Sequence, residues 1–320
     1  MRTRTKVWLI IATALMLLGG ILFAVIMTRL DWDFMKLSTV KYETNTHEVG
    51  DTFDSISIHT DTADILFALS DDGRCRVTCY EDESANHSVT VENNTLVVKH
   101  NPRKAWHSYI GFSFDSPKIT VSLPKAEYAS ILICEDTGDV EIPEVFAFKN
   151  ADISVSTGDV SFLASATETV NIKTSTGDIC VEKLSVGSLE LSVSTGRVTA
   201  SDVTSAGGVS VDVSTGKAYL TDITCQSLTS SGSTGDISLN NVIVSESLSI
   251  KRSTGDVSLG SCDAAEIFVK TNTGDVRGSL LSDKMFLVTT DTGKTDIPQS
   301  TTGGKCEITT DTGDIKITIN

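Results

Sequence analysis

Aromatic residues make up only 6% of this 320-residue chain, although 40% of it is hydrophobic. Val, Ile, Leu and Ala carry the difference, which suits a thin core of small and β-branched side chains better than a thick globular one. Beyond residue 150 the aromatics are Phe162, Tyr219, Phe268 and Phe286 alone, so whatever forms there is slender. Basic residues are also short, 26 against 42 acidic, for a net charge of −16. Nucleic acid and anionic lipid surfaces are repelled by such a chain and are excluded as partners through bulk electrostatics. The five histidines stand at 47, 59, 87, 100 and 107, which leaves the last two hundred residues without one. G-x-S-x-G, H-E-x-x-H and phosphate-binding loop motifs are missing as well. These absences point away from an enzyme. The seven cysteines are an odd number, awkward for a complete disulfide framework. Cys75 and Cys79 share one strand face but lie about 13 Å apart along it, too far to bridge. Free thiols are expected, with no cofactor and no zinc site; Cys262 and Cys306 fall at inward positions as small hydrophobes.

Long apolar runs are scarce too, and the single example is informative. Val7 to Thr28 holds 22 residues without a charge, enough to cross a hydrocarbon core as a helix. Arg2, Arg4 and Lys6 precede it and Asp31 and Asp33 follow, so the positive-inside rule puts the N-terminus in the cytoplasm. The run is too long for a signal-peptide core, ends without an A-x-A site and has no nearby cysteine for a lipid. It reads as an uncleaved signal anchor, with Trp8 and Trp32 at the two interfaces.

What the chain has in abundance is the pair Thr-Gly. Its glycine recurs at Gly138, Gly158, Gly177, Gly196, Gly216, Gly235, Gly255, Gly274, Gly293 and Gly313, at intervals of 19 or 20 throughout. The surrounding consensus is [S/D/N]-T-G-[D/K/R], and period-two apolar pairs flank it, such as Leu189/Leu191 before and Ile179/Val181 after. Each repeat reads as strand, tight corner, strand, a further inward anchor and a polar return. One such coil cannot bury its own apolar face, whereas coils stacked in register can. The expected fold is all-β: a single-chain β-solenoid of about ten 19–20-residue coils with an irregular β N-terminal part, preceded by one transmembrane helix. A β-propeller blade needs about 40 residues, and nothing alternates between odd and even copies to pair the repeats.

The expected domains are a cytoplasmic basic segment 1–6, a transmembrane anchor 7–28, a linker 29–50, an irregular β region 51–128 and the solenoid 129–320. Asp61-Thr62-Ala63-Asp64 looks like a degenerate corner with Ala for Gly. The irregular region is expected to cover the first coil, while the last strand, Ile315–Asn320, is expected to be an exposed edge.

The order of membrane anchor, F-D-S-I-S-I-H-T-D-T-A-D-I from Phe53, K-I-T-V-S-L-P-K from Lys118 and iterated S-T-G-D-V/I resembles a known family over roughly residues 50–320. It is the bacterial "putative adhesin" domain family of unknown function that includes the LiaG-like membrane proteins. The resemblance implies a cell-surface β-solenoid, in some relatives encoded with envelope-stress signalling systems. It supplies no catalytic residue.

Two features are candidate sites. The residue after each corner glycine is usually Asp, and a stacked carboxylate column could hold Ca²⁺; Arg197, Lys217 and Lys294 interrupt it, which favours turn capping over a metal. The segment from His100 to Phe114 gathers Arg103, Lys104, Trp106, His107, Tyr109, Phe112 and Phe114, as a partner-binding loop or a lid over the solenoid's open end. The expected function is a membrane-anchored, non-catalytic, extracytoplasmic solenoid presenting a surface to an unknown protein or envelope-polymer partner. The alternatives are an accessory of an envelope-stress sensing system and, more distantly, a polysaccharide-active enzyme.

Overall fold

The computed structural model describes residues 3–37, 41–83, 85–102 and 116–320. The segment from Arg103 to Phe114, with its basic and aromatic residues, lies outside them. Thr3–Arg29 is one α-helix, long and apolar enough to cross a membrane, and an 18-residue apolar window of it is not buried in protein, although Met27 near its C-terminus is. Its C-terminus is closed by Asp31 and Trp32 in left-handed conformations, with the Trp32 N–H bonded to the Met27 carbonyl at 2.8 Å.

From Tyr42 onward every regular element among the described residues is a β-strand. The repeats form a β-solenoid in which equivalent residues of adjacent coils pair in parallel, for example Leu189↔Val209, Leu191↔Val211 and Gly196↔Gly216. The inward positions become continuous columns. Ile131, Ala151, Val170, Leu189 and Val209 stand one above another, each at most 2% exposed. Burying a Val, Leu or Ile side chain contributes about 1.5–3 kcal/mol, and the columns repeat that gain in every layer.

The corner explains its glycine. Gly158 has φ +150°, and a Cβ there would sit 1.9 Å from the carbonyl oxygen of Gly138 below. Only a residue without a side chain permits both the backbone angle and the close stack. A second corner lies six residues further on, where Lys183, Asp202, Asp222, Asn241 and Ser261 adopt φ of +52° to +54°. These are mostly residue types that tolerate the left-handed region.

The layers do not follow chain order at either end. The strands Ser55–Thr62 and Asp64–Leu69, which flank Ala63, lie between Thr95–Pro102/Lys118–Leu123 on one side and the Gly138 coil on the other. At the far end the Gly313 coil inserts between those of Gly274 and Gly293. Val269 pairs with Ile308 and Val288 pairs with the same residue from the opposite side. The ten glycine coils and the two N-terminal layers give a stack of about 53 Å at the usual strand spacing of about 4.8 Å.

The N-terminal layer is covered by antiparallel strands. Ala85–Glu92 pairs with Thr95–Pro102, while Cys75–Asp82 pairs with Lys118–Leu123 and, on its other edge, with Tyr42–Val49. Residues 42–49, within the stretch read as a linker, therefore form a strand of this cover. The expectation of an exposed final strand is also corrected: Ile315–Ile319 pairs along its full length with Val276–Leu280, and Ile315 and Lys316 pair again with Thr295 and Asp296. The outer layer at that end is the Gly293 coil, whose strand Lys284–Thr292 has Gly304–Thr312 as its only ladder partner among the described residues.

Candidate functional site

The corner aspartates come first, because the repeat places them in one column. Each carboxylate is turned onto its own scaffold. Asp139 Oδ1 accepts the Asp159 N–H at 2.8 Å, Asp159 Oδ1 accepts that of Asp178 at 2.7 Å, and Asp178 Oδ1 accepts that of Arg197 at 2.7 Å. The run starts at Asp64, which accepts the Asp139 N–H, and a second run leads from Asp236 through Asp256, Asp275 and Asp314 to Lys294. Basic residues stand where a run ends and no acceptor is required. Two of them also face carboxylates, Arg197 with Asp178 at 3.7 Å and Lys217 with Asp236 at 3.0 Å. The Lys217 contact and the Asp256 N–H hold the Asp236 carboxyl below its usual range. These oxygens are engaged by the backbone, so the column acts as turn capping.

The chemistry that the fold gathers lies instead in its N-terminal layers. Glu81 and His87 are both buried, with His87 Nδ1 at 2.7 Å and the His87 backbone N–H at 2.6 Å from Glu81 Oε2. Asn45 donates to Glu81 Oε1 at 2.8 Å, and His87 Nε2 meets the Thr60 hydroxyl at 2.9 Å. Burial pushes the His87 imidazole below its ordinary value, against the opposite pull of the Glu81 carboxylate. Thr60 stands beside Glu135 in the stack. Glu135 is 3% exposed; its Oε1 accepts the Ala63 N–H at 3.0 Å, while Oε2 is buried without a partner. Desolvation, reinforced by Asp64, Asp136 and Asp61, pushes its carboxyl up to about 8. Outside this cluster, His100 Nδ1 meets Asp61 Oδ2 at 2.9 Å.

Two clefts open at this end. One of about 410 Å³ is lined by His59, Asp61, Lys99, His100, Glu135 and Asp136, among others. The other, about 500 Å³, is more apolar and is bordered by Phe53, Arg74, Cys75, Pro124 and Tyr128. Phe53 and Tyr128 stack there with centroids 6.2 Å apart, and the row continues inward through Phe148 to Phe162.

Along the shaft the outward face mixes Ser and Thr with Lys, Glu and the exposed Tyr219. Thr169, Asn171, Ser188, Glu190, Ser210 and Thr229 border one shallow cleft of about 440 Å³. All seven cysteines are free thiols, five of them buried. Cys180 and Cys134 are half-buried, and burial raises both thiols above their ordinary value.

The ten corner glycines fall into one column, as the spacing suggests. The cluster of Thr60, Glu81, His87 and Glu135 was missed. Its members are scattered over 76 positions, and the only signal available was that every histidine precedes the repeats.

No relative was found among curated proteins. Solved structures with a similar chain path are bacterial and distant. A protein described as a "putative adhesin" from Bacteroides fragilis is 16% identical over 88% of this chain and 97% of that one, with a TM-score of 0.41. A second "putative adhesin", from Parabacteroides merdae, is 15% identical over 87% and 96%, with a TM-score of 0.47. A "putative lipid binding protein" from Parabacteroides distasonis is 14% identical over 87% and 97%, also at 0.47. The family model described as Toastrack DUF4097 matches residues 53–318, and the chain belongs to that family.

Proposed function

We propose that this protein is a membrane-anchored, non-catalytic solenoid that stands outside the cytoplasm and presents its polar shaft for contact with a protein or an envelope polymer. The observation that carries this reading is the pairing of two parts. One is a helix whose 18-residue apolar window has no protein packed over it; the other is a stack whose recurring carboxylates are spent on its own backbone. Such a stack offers a long, regular, hydroxyl-rich face and no loop-walled groove along the shaft, which suits recognition of an extended partner better than bond cleavage. The basic flank Arg2, Arg4 and Lys6 supports placing the N-terminus inside, and the names given to the solved relatives from B. fragilis and P. merdae agree with a surface role. The domain plan follows, with 7–28 as the anchor and 129–320 as the presenting shaft.

Topology is tested by fusing alkaline phosphatase, and separately β-galactosidase, after residue 320. An active phosphatase and an inactive galactosidase are expected; the reverse pattern overturns the orientation. Contact is tested with residues 45–320 on purified wall material and a glycan array, beside a detergent pull-down of the full chain. Binding by the soluble part supports presentation. Loss of every partner on deleting the helix transfers the role to the membrane, as an accessory of a sensing system would require.

A further inference from the structure

Cys79, Glu81 and His87 each bring one ligand atom to a point where all three lie within 4.8 Å of one another, and all three residues are buried. Glu81 and His87 satisfy each other, but no hydrogen bond explains why a thiol accompanies them. On its inward face the strand Cys75–Asp82 carries Cys75, Val77, Cys79 and Glu81, and the neighbouring strand Tyr42–Val49 lays His47 opposite Val77 and Asn45 opposite Cys79. His47 therefore stands one step diagonally from Cys79, within the reach of a long side chain. Its Nε2 is buried and has no hydrogen-bond partner. A buried imidazole nitrogen without a partner is a costly thing to keep beside an unused thiol.

We propose that Cys79, Glu81 and His87 form a structural zinc site that staples the strands of the N-terminal cover to one another, with His47, which lies outside the close group of three, turning in as a fourth donor. Thiolate, imidazole and carboxylate together are the donor set of zinc. Zinc at about 2.0–2.3 Å from each donor needs the donors about 3.5 Å apart. The group has to contract by roughly 1 Å overall, while the direct contact between Glu81 Oε2 and His87 Nδ1 opens by a similar amount. Zinc replaces the proton on the Cys79 sulfur, which leaves to solvent, while the imidazole keeps its one proton, shifted from Nδ1 to Nε2, where the Thr60 hydroxyl accepts it. The orienting partners are already in position. Thr60 at His87 Nε2 sets the tautomer that frees Nδ1 for the metal, and Asn45 holds Glu81 Oε1 so that Oε2 faces inward. The strands joined would be Cys75–Asp82, Ala85–Glu92 and Tyr42–Val49, all of which lie outside the regular stack.

The test uses the full chain in detergent, stripped of metal and then dialysed against Zn²⁺ or Co²⁺. One Zn²⁺ per chain and a Co²⁺–thiolate charge-transfer band in the near ultraviolet are expected. Both should vanish in Cys79→Ser and His87→Gln and persist in Cys75→Ser, whose thiol lies on the same strand face. His47→Ala is expected to weaken retention without abolishing the thiolate band. Should Cys79→Ser lose its β-sheet circular dichroism, Thr60→Val gives the reading instead, through an expected loss of about tenfold in Zn²⁺ affinity at unchanged fold. A folded wild-type chain that retains less than a tenth of an equivalent of Zn²⁺ overturns the proposal. So does a Co²⁺ band that survives Cys79→Ser, because another of the seven cysteines would then be its source.

Discussion

Gly232 and Arg252 pair across adjacent coils, and the arginine occupies the volume that the glycine leaves. A Cβ on Gly232 would sit 1.7 Å from Arg252 Nη1 and 2.3 Å from the Val213 carbonyl oxygen. Through that gap Nη1 reaches the carbonyls of Ser231 at 2.7 Å and Val213 at 3.3 Å, while Nη2 meets Ser230 Oγ at 3.0 Å. Arg252 is 4% exposed, so desolvation lowers its affinity for the proton, and the bonds to the corner hold it in place. Gly232→Ala is expected to cost about 2–3 kcal/mol and Arg252→Ala about 2 kcal/mol. The two changes share one clash, so the double variant should fall short of their sum. Denaturant unfolding of all four chains measures this, and strict additivity would show that the two residues act separately.

The aspartate column makes a different prediction. Asp159→Asn keeps an oxygen for the Asp178 N–H and should change stability little, whereas Asp159→Ala loses that bond and about 1 kcal/mol. Chelating agents should leave the melting temperature of residues 129–320 unchanged. A drop of several degrees on adding a Ca²⁺ chelator would mean that the column holds an ion rather than a backbone.

Glu135 sets a pH dependence. Its carboxyl is raised from about 4.5 to about 8 in the folded protein, so between those values the folded state holds a proton that the unfolded chain has released. Its contribution is therefore most favourable below about pH 4.5 and erodes as pH rises toward 8. Glu135→Gln mimics the protonated acid and keeps an oxygen for the Ala63 N–H. Between pH 5 and 8 the wild type should lose stability relative to this variant. Parallel stability curves would place the proton elsewhere.

The intercalated Gly313 coil can be tested by truncation. Deleting residues 304–320 removes the only ladder partner of Lys284–Thr292 among the described residues. Hydrogen exchange over 284–296 should then become unprotected while 208–259 stays slow. Coils stacked in chain order would behave otherwise, since 284–296 would still rest on the Gly274 coil.

Much of this architecture is legible before any coordinates. The pitch of 19 or 20, the alternation of Leu189/Leu191 and Ile179/Val181, and the Thr-Gly corners are local signals, and each coil repeats its neighbour's. Ala63 was also readable as a corner, and it stacks on Gly138, although its backbone is not in the left-handed region. The second corner was harder to see. Lys183, Asp202, Asp222, Asn241 and Ser261 share a backbone angle but no single residue type, so no motif marks them. The Glu81–His87–Thr60 cluster was invisible for another reason: its members meet only because three strands of the cover fold back across the first layers.

Periodicity by itself determined that the chain stacks, because one 19-residue coil cannot bury its own apolar face and a regular register buries every face at once. The order of the stack was decided only in three dimensions. The Gly274, Gly293 and Gly313 coils carry the same Thr-Gly corner and the same period-two strand pattern, so each can pair in register with the others. Which one lies innermost depends on how well its side chains fill the layer beneath. Ile308 is fully buried against Val269, while the inward Phe286 and Val288 of the Gly293 coil are only partly buried. A repeat specifies what may pair, and packing between whole layers selects what does.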